Sequence, residues 1–226
     1  PVLAAMEALS LPLLVHGEVT DQQCDVFDRE ARFIDRYLSK IITDFPKLRV
    51  VLEHITTRHA VDFVQSGPQT LAATITPHHL LLNRNDLLVG GLKPHHYCLP
   101  IVKRQCDQEA LVKAAISGDP RFFLGTDSAP HAKNKKESAC GCAGIYSAYA
   151  ALEYYAEGFY RHDSLDKLSD FASVFGAYFY GLPLNQKQVQ LRHDPWVVPY
   201  SLSFGDESVV PFMAGQTLQW KRVNNE

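Results

Sequence analysis

"LRVVLEHIT", residues 48–56, followed at once by "TRHAVDFVQSG", residues 57–67, decides the fold class. The first stretch is a short run of aliphatic and β-branched side chains, the composition of a strand buried on both faces. The second spaces its apolar residues for one face of a helix and stops at Gly67. Working outward, the same plan recurs. "LPLLVHGE" (11–18) reads as a strand, and Phe27, Ala31, Ile34, Leu38, Ile41, Ile42 and Phe45 follow at helical spacing until Pro46 ends the run. "TLAATITPHH" (70–79) reads as a third strand, followed by a long loop through Gly90, Gly91, Pro94 and Pro100 and a helix near 106–117. "RFFLGTD" (121–127) reads as a fourth, with helices near 141–157 and 164–180 after it. Strands that alternate with helices imply parallel βα units, because parallel neighbours need a crossover connection. Residues 1–10 read as the end of a helix, and the chain opens on Pro1, as the C-terminal portion of a longer protein would. The segment from Pro195 onward is too rich in proline for another βα unit and reads as short strands or extended coil packed on the body.

Composition narrows the class. With 226 residues, 46% hydrophobic and 21% charged, the chain has the balance of a globular domain with a sizeable core. A net charge of -3 gives no reason to expect nucleic acid or an acidic membrane as partner. No apolar run approaches the roughly 20 residues of a membrane span. Five scattered cysteines, at 24, 98, 106, 140 and 142, suit a reducing compartment better than a disulfide framework, so a cytoplasmic location is expected.

The informative polar residues sit where the apolar runs end: His16 after "LPLLV", His54 after "LRVVLE", His78 and His79 after "LAATITP", and Asp127 after "RFFLGT". In a parallel barrel these ends converge on one face, where active sites of (β/α)8 enzymes lie. Imidazoles and a carboxylate meeting there suit zinc, which takes nitrogen and oxygen donors and keeps a position open for water in catalytic sites. Each residue also has an ordinary explanation. A histidine after an apolar run is commonly a half-exposed surface residue, and Asp127 within "GTDSAP" has the form of an Asx-turn residue. What singles these residues out is their shared position across successive units. Cys140 and Cys142 in "CGC" form one close pair with no second pair, which favours a tight turn over a metal knuckle. His59, His162 and His193 read as solvated.

"LLVHGEVT", "FDREARFI", "EHITT", "LAATITPHH", "CLPIVKR", "FLGTDSAPHA" and "KESACGCAG" together resemble the C-terminal two-thirds of the bacterial dihydroorotase family of the amidohydrolase superfamily. The resemblance implies a (β/α)8 barrel, of which residues 1–226 are the C-terminal units of a single domain with a short extension. It implies a homodimer that interconverts dihydroorotate and N-carbamoyl-aspartate with two zinc ions, bridged by a carboxylated lysine. It also implies His16 and His54 as ligands of the more exposed ion and Asp127 as ligand of the more buried ion and proton shuttle. His131 then binds the substrate carboxylate, and the backbones of Leu99 and Ala143 bond the ring. No metal role falls to His78 or His79. The family's first-strand His-x-His and its bridging lysine have no counterpart here; both would lie upstream of Pro1, and Lys93, Lys103 and Lys133 do not follow a strand in the needed order. Two alternatives are a hydantoinase-like cyclic-amide hydrolase and a metal-free, non-catalytic barrel.

Overall fold

A computed structural model describes residues 1–223. After helix α1 (Val2–Ala8), four strands, β1 (Leu13–His16), β2 (Val50–Glu53), β3 (Leu71–Ile75) and β4 (Phe122–Leu124), form one parallel sheet in sequence order. The register pairs Leu13 with Val50, Val50 with Leu71 and Ala73 with Phe122, so all four carboxyl ends emerge on one side. Between β1 and β2 run α2 (Arg29–Phe33) and α3 (Ser39–Asp44), joined by a π-helical turn at Ile34–Leu38. Helix α4 (Arg58–Ser66) crosses from β2 to β3, capped by the Thr57 side chain, which accepts from Ala60 N. Helices α5 (Pro77–Leu81), α6 (Arg84–Leu88) and α7 (Gln105–Ala115) lie between β3 and β4. Beyond β4 come α8 (Lys133–Lys136), α9 (Ala151–Tyr160) and α10 (Phe175–Tyr180).

The central strands bury both faces, as parallel strands do when helices cover them. Val50, Leu52, Leu71, Ala73, Ile75 and Phe122 pack with α4, α7 and α9 through Val64, Leu111, Tyr155 and Phe159. The alternate residues Val51, Ala72 and Phe123 form a second cluster with Phe175, Phe179 and Tyr180 of α10. The Tyr155 hydroxyl donates to Ile75 O at 2.7 Å and Gly125 O at 3.2 Å, tying the ends of β3 and β4 together from behind. A C-terminal extension carries β5 (Gln190–Val197) paired antiparallel with β8 (Thr217–Val223), and the hairpin β6 (Leu202–Phe204) with β7 (Glu207–Val209). No helix among the described residues is long and apolar enough to cross a membrane.

The expected strands, the helix near 106–117 and the extension are present, but several boundaries differ. The third strand ends at Ile75, because Thr76 caps a new helix with Pro77 in its first turn, so His78 and His79 are helical. The long loop contains α6, started by Asn83 and Asp86 bonding each other's backbone N–H groups. The helix expected over 141–157 begins only at Ala151, since Gly141 (φ 56°) and Gly144 (φ 147°) hold left-handed backbone. The one expected over 164–180 is divided among a 3-10 turn at Leu165–Lys167, a π turn at Asp170–Val174 and α10.

Candidate active site

Parallel pairing places His16, the last residue of β1, opposite Glu53, the last of β2, and His54 follows immediately. His54 and Asp127 both leave their strands at positive φ, 44° and 41°. Non-glycine residues adopt that conformation at a cost, and it recurs where a side chain must be aimed into a site. The local structure holds the turn at His54 in place. Its N–H donates to Thr74 Oγ1 at 2.7 Å. The next two residues are fastened by the buried Glu30 carboxylate, which accepts from Thr56 N and Oγ1, both at 2.8 Å, from Thr57 N at 2.9 Å and from the Thr57 hydroxyl. Thr74 is closely packed in turn: a Cβ at Gly125, just past β4, would lie 2.5 Å from its Cβ.

These constraints bring His16 Nδ1 to 3.2 Å from His54 Nε2, with the rings edge to face at 4.8 Å. The other His16 nitrogen, Nε2, donates to Glu18 Oε2 at 3.0 Å, which leaves Nδ1 as the lone pair of the neutral ring. The Glu18 hydrogen bond raises the His16 pKa, against burial and with help from the charge of Asp127. His54 is pushed down to about 4, by burial first and then by His16, so it is a neutral imidazole near pH 7. Two nitrogens on one tetrahedral ion at ~2.05 Å lie roughly 3.3 Å apart. The observed separation therefore fits a shared cation, and Glu18 stands where a carboxylate orients a metal-binding histidine from behind. Asp127 lies close enough to His16 for their charges to interact, its pKa raised by burial and lowered by His16, while Glu53 is raised by burial and by Asp127.

The remaining expected residues lie on two loop segments. Leu99 is in the strap 97–100 and Ala143 in the strap 141–146, joined by Gly144 N donating to Tyr97 O at 3.0 Å. His131 Nε2 lies 3.0 Å from Ala143 O, so that nitrogen carries its proton and only Nδ1 is left to meet a ligand. The structure therefore gathers His16 with His54 through side-chain atoms, and His131 with Ala143 and the Leu99 strap through backbone. Cys140 and Cys142 flank the left-handed Gly141 in a loop, and all five thiols are free.

His78, His79 and Cys98 form a buried cluster whose donor atoms lie within 4.8 Å of one another. Hydrogen bonds engage two of its members: His79 Nδ1 meets Thr76 Oγ1 at 2.7 Å, His79 Nε2 meets Pro100 O at 2.9 Å, and the Cys98 thiol, pushed up to about 12 by burial, donates to Pro100 O, while both nitrogens of His78 are buried without a partner. His79 and Cys98 are thereby committed to packing the strap, which leaves His78 alone with free ring nitrogens. Sequence reasoning missed Glu18, Glu30, Glu53 and Lys136. Glu18 had a signal, since it lies two residues from His16, on the same side of an extended chain. Lys136, inside the basic run "KNKKE", had none.

No protein-family model matches the chain. It is 61% identical over 221 residues to a dihydroorotase of Teredinibacter turnerae, covering 98% of this chain and 64% of that protein. A dihydroorotase of Coxiella burnetii is 60% identical over 225 residues, covering 100% and 65%. The chain is a homologue of the dihydroorotases. It spans a little under two thirds of the length of these curated relatives and corresponds to their C-terminal part. Among solved structures, dihydroorotase from Campylobacter jejuni superposes with a TM-score of 0.89 at 39% identity, over 99% of this chain and 64% of that one. Dihydroorotase from Saccharomyces cerevisiae in complex with 5-fluoroorotic acid gives 0.88 at 35%, over 99% and 66%. A D-hydantoinase from Thermus sp. gives 0.79 at 14% identity, a likeness of fold alone. The four βα units are thus an arc of the TIM-type barrel that dihydroorotases and hydantoinases share.

Proposed function

We propose that residues 1–226 are the C-terminal part of a single amidohydrolase barrel domain, that of a zinc-dependent dihydroorotase interconverting N-carbamoyl-L-aspartate and L-dihydroorotate. The observation that carries the reading is the His16–His54 nitrogen pair at 3.2 Å, with the charge of Asp127 acting on His16, in a chain about 60% identical to dihydroorotases. His16 Nδ1 and His54 Nε2 would hold one ion, and Asp127 a second. Zinc, when bound, would make hydroxide available near neutral pH and polarise the ring carbonyl. The chain's own groups do the rest. Asp127 accepts the proton of the attacking water and delivers it to the departing ring nitrogen, base in one half of the reaction and acid in the other. The backbones of Leu99 and Ala143 bond the ring amide. His131, its Nε2 held by Ala143 O, presents Nδ1 to the substrate carboxylate, which it can only donate to as an imidazolium. Free thiols support a reducing, cytoplasmic setting. A homodimer acting on this small molecule rests on the family resemblance.

The test is an assay of the metal-loaded full-length protein in both directions, with zinc counted by atomic emission. Turnover of dihydroorotate with two ions per site is expected, together with binding of 5-fluoroorotic acid. Preference for a hydantoin over dihydroorotate would move the reading to the hydantoinases. Absence of bound metal in an otherwise folded protein would move it to a non-catalytic barrel.

A further inference from the structure

The two straps meet on a buried ammonium. Lys136, the last residue of α8, is 3% exposed, and its Nζ donates to Tyr97 O at 2.8 Å, Cys142 O at 2.7 Å and Gly144 O at 2.7 Å. All three protons of the ammonium are thereby used, and every partner is a backbone carbonyl. The Tyr97 ring lies 5.7 Å from Nζ and covers it. A lysine buried in this way gives up strong hydration, and burial accordingly pushes its pKa down to about 8.

The acceptors are distributed in an informative way. One belongs to the strap that carries Leu99, two residues from it; the other two flank Ala143 on either side. The second strap has little freedom elsewhere. Gly144 runs so close to the neighbouring loop that a Cβ there would meet Ala129 O at 2.6 Å and the His131 ring at 2.9 Å, and Ala143 O is taken by His131. The separation between the straps is consequently set at the Nζ atom and at the single Gly144–Tyr97 backbone bond.

We infer that Lys136 is a positioning residue, which holds the backbone groups of Leu99 and Ala143 at the spacing a cyclic amide requires. The inference rests on the dihydroorotase reading for the identity of that amide, but the clamp itself is a feature of the two straps. Lys136 touches no reacting atom in this account. Its loss should therefore act on substrate affinity more than on the chemical step.

The experiment compares Lys136→Met, which fills the space without donors, and Lys136→Arg, which keeps charge and donors on a head too large for the same three contacts. In the zinc-loaded full-length protein, KM for dihydroorotate in Lys136→Met is expected to rise about tenfold or more, with kcat falling less and zinc content unchanged. Hydrogen exchange should quicken at residues 97–99 and 142–145, and Lys136→Arg should fall between that variant and the wild type. A KM within twofold of wild type in folded Lys136→Met would overturn the inference. If Lys136→Met does not fold, Lys136→Arg decides: a raised KM with faster strap exchange supports the clamp, and wild-type values overturn it. Should the wild type itself not turn over dihydroorotate, the functional reading fails separately. Strap exchange then judges the clamp alone, quickened in the variants if it holds and unchanged if it does not.

Discussion

The two halves of the site are held by different means. His16 and His54 stand at the ends of adjacent parallel strands, and their spacing follows from the register of β1 on β2 plus one left-handed residue. Leu99, His131 and Ala143 stand on loops, and their spacing follows from hydrogen bonds among backbone carbonyls, a histidine and one lysine. A geometry made by register comes with the sheet. A geometry made by a few polar contacts can be lost while the sheet stays intact, so the halves should fail differently when probed.

The largest effect is expected on the register-held side. On the proposed reading His54→Ala removes one of the two nitrogens that would hold one ion, so metal analysis should show one ion lost. Turnover should fall by roughly 10³-fold, the scale of several kcal/mol of lost charge stabilisation. Retention of both ions in the variant would remove His54 from the ligand set. Next comes Asp127→Asn, which keeps any Asx-turn bond but deletes the proposed base. A drop of about 10²-fold or more in both reaction directions is expected with melting temperature nearly unchanged. Near-normal rates in metal-replete protein would return Asp127 to the role of a turn former.

On the loop-held side, His131→Ala should lower kcat/KM by on the order of tenfold, the scale of one lost hydrogen bond to a charged group, and leave the metal in place. Loss of zinc instead would erase the distinction between the halves. The last effect is on stability and leaves turnover aside. His78 is buried and pushed down to about 3, by burial first and then by His54 and Lys136. Its folded pKa lies below the unfolded value of 6.5, so the unfolded chain takes up the proton first, and stability is lost as pH falls from about 6.5 toward 3. In metal-free protein, denaturation of wild type against His78→Gln should show the difference between them shifting by about 1.4 kcal/mol per pH unit across that window, in the variant's favour as pH falls. A pH-independent difference would show that His78 carries its charge in the folded state.

The same contrast explains what could be read from the sequence. The four strands announced themselves by apolar runs, and the residues closing them fell on one face because parallel strands leave no other choice. His16, His54 and Asp127 were legible for that reason. The break at Ile75, the late start of α9 and the burial of Lys136 were not. Thr76 and Pro77 act through a cap one residue wide, Gly141 and Gly144 through backbone angles, and Lys136 through carbonyls whose positions depend on residues forty places away. Glu30 was equally opaque, since its partners Thr56 and Thr57 lie on another unit. Hydrophobic period carries no information about which polar group fills a gap between loops.

The contact between Gly125 and Thr74 has a consequence for how such a site can change by descent. A side chain at 125 displaces Thr74, whose hydroxyl receives the His54 N–H, so the first step of a two-step path disturbs a nitrogen on another strand. Trimming Thr74 first makes room, but orphans a buried donor at a cost of about 1–3 kcal/mol. Whichever substitution arrives first, the single variant disturbs the bond that holds the turn at His54.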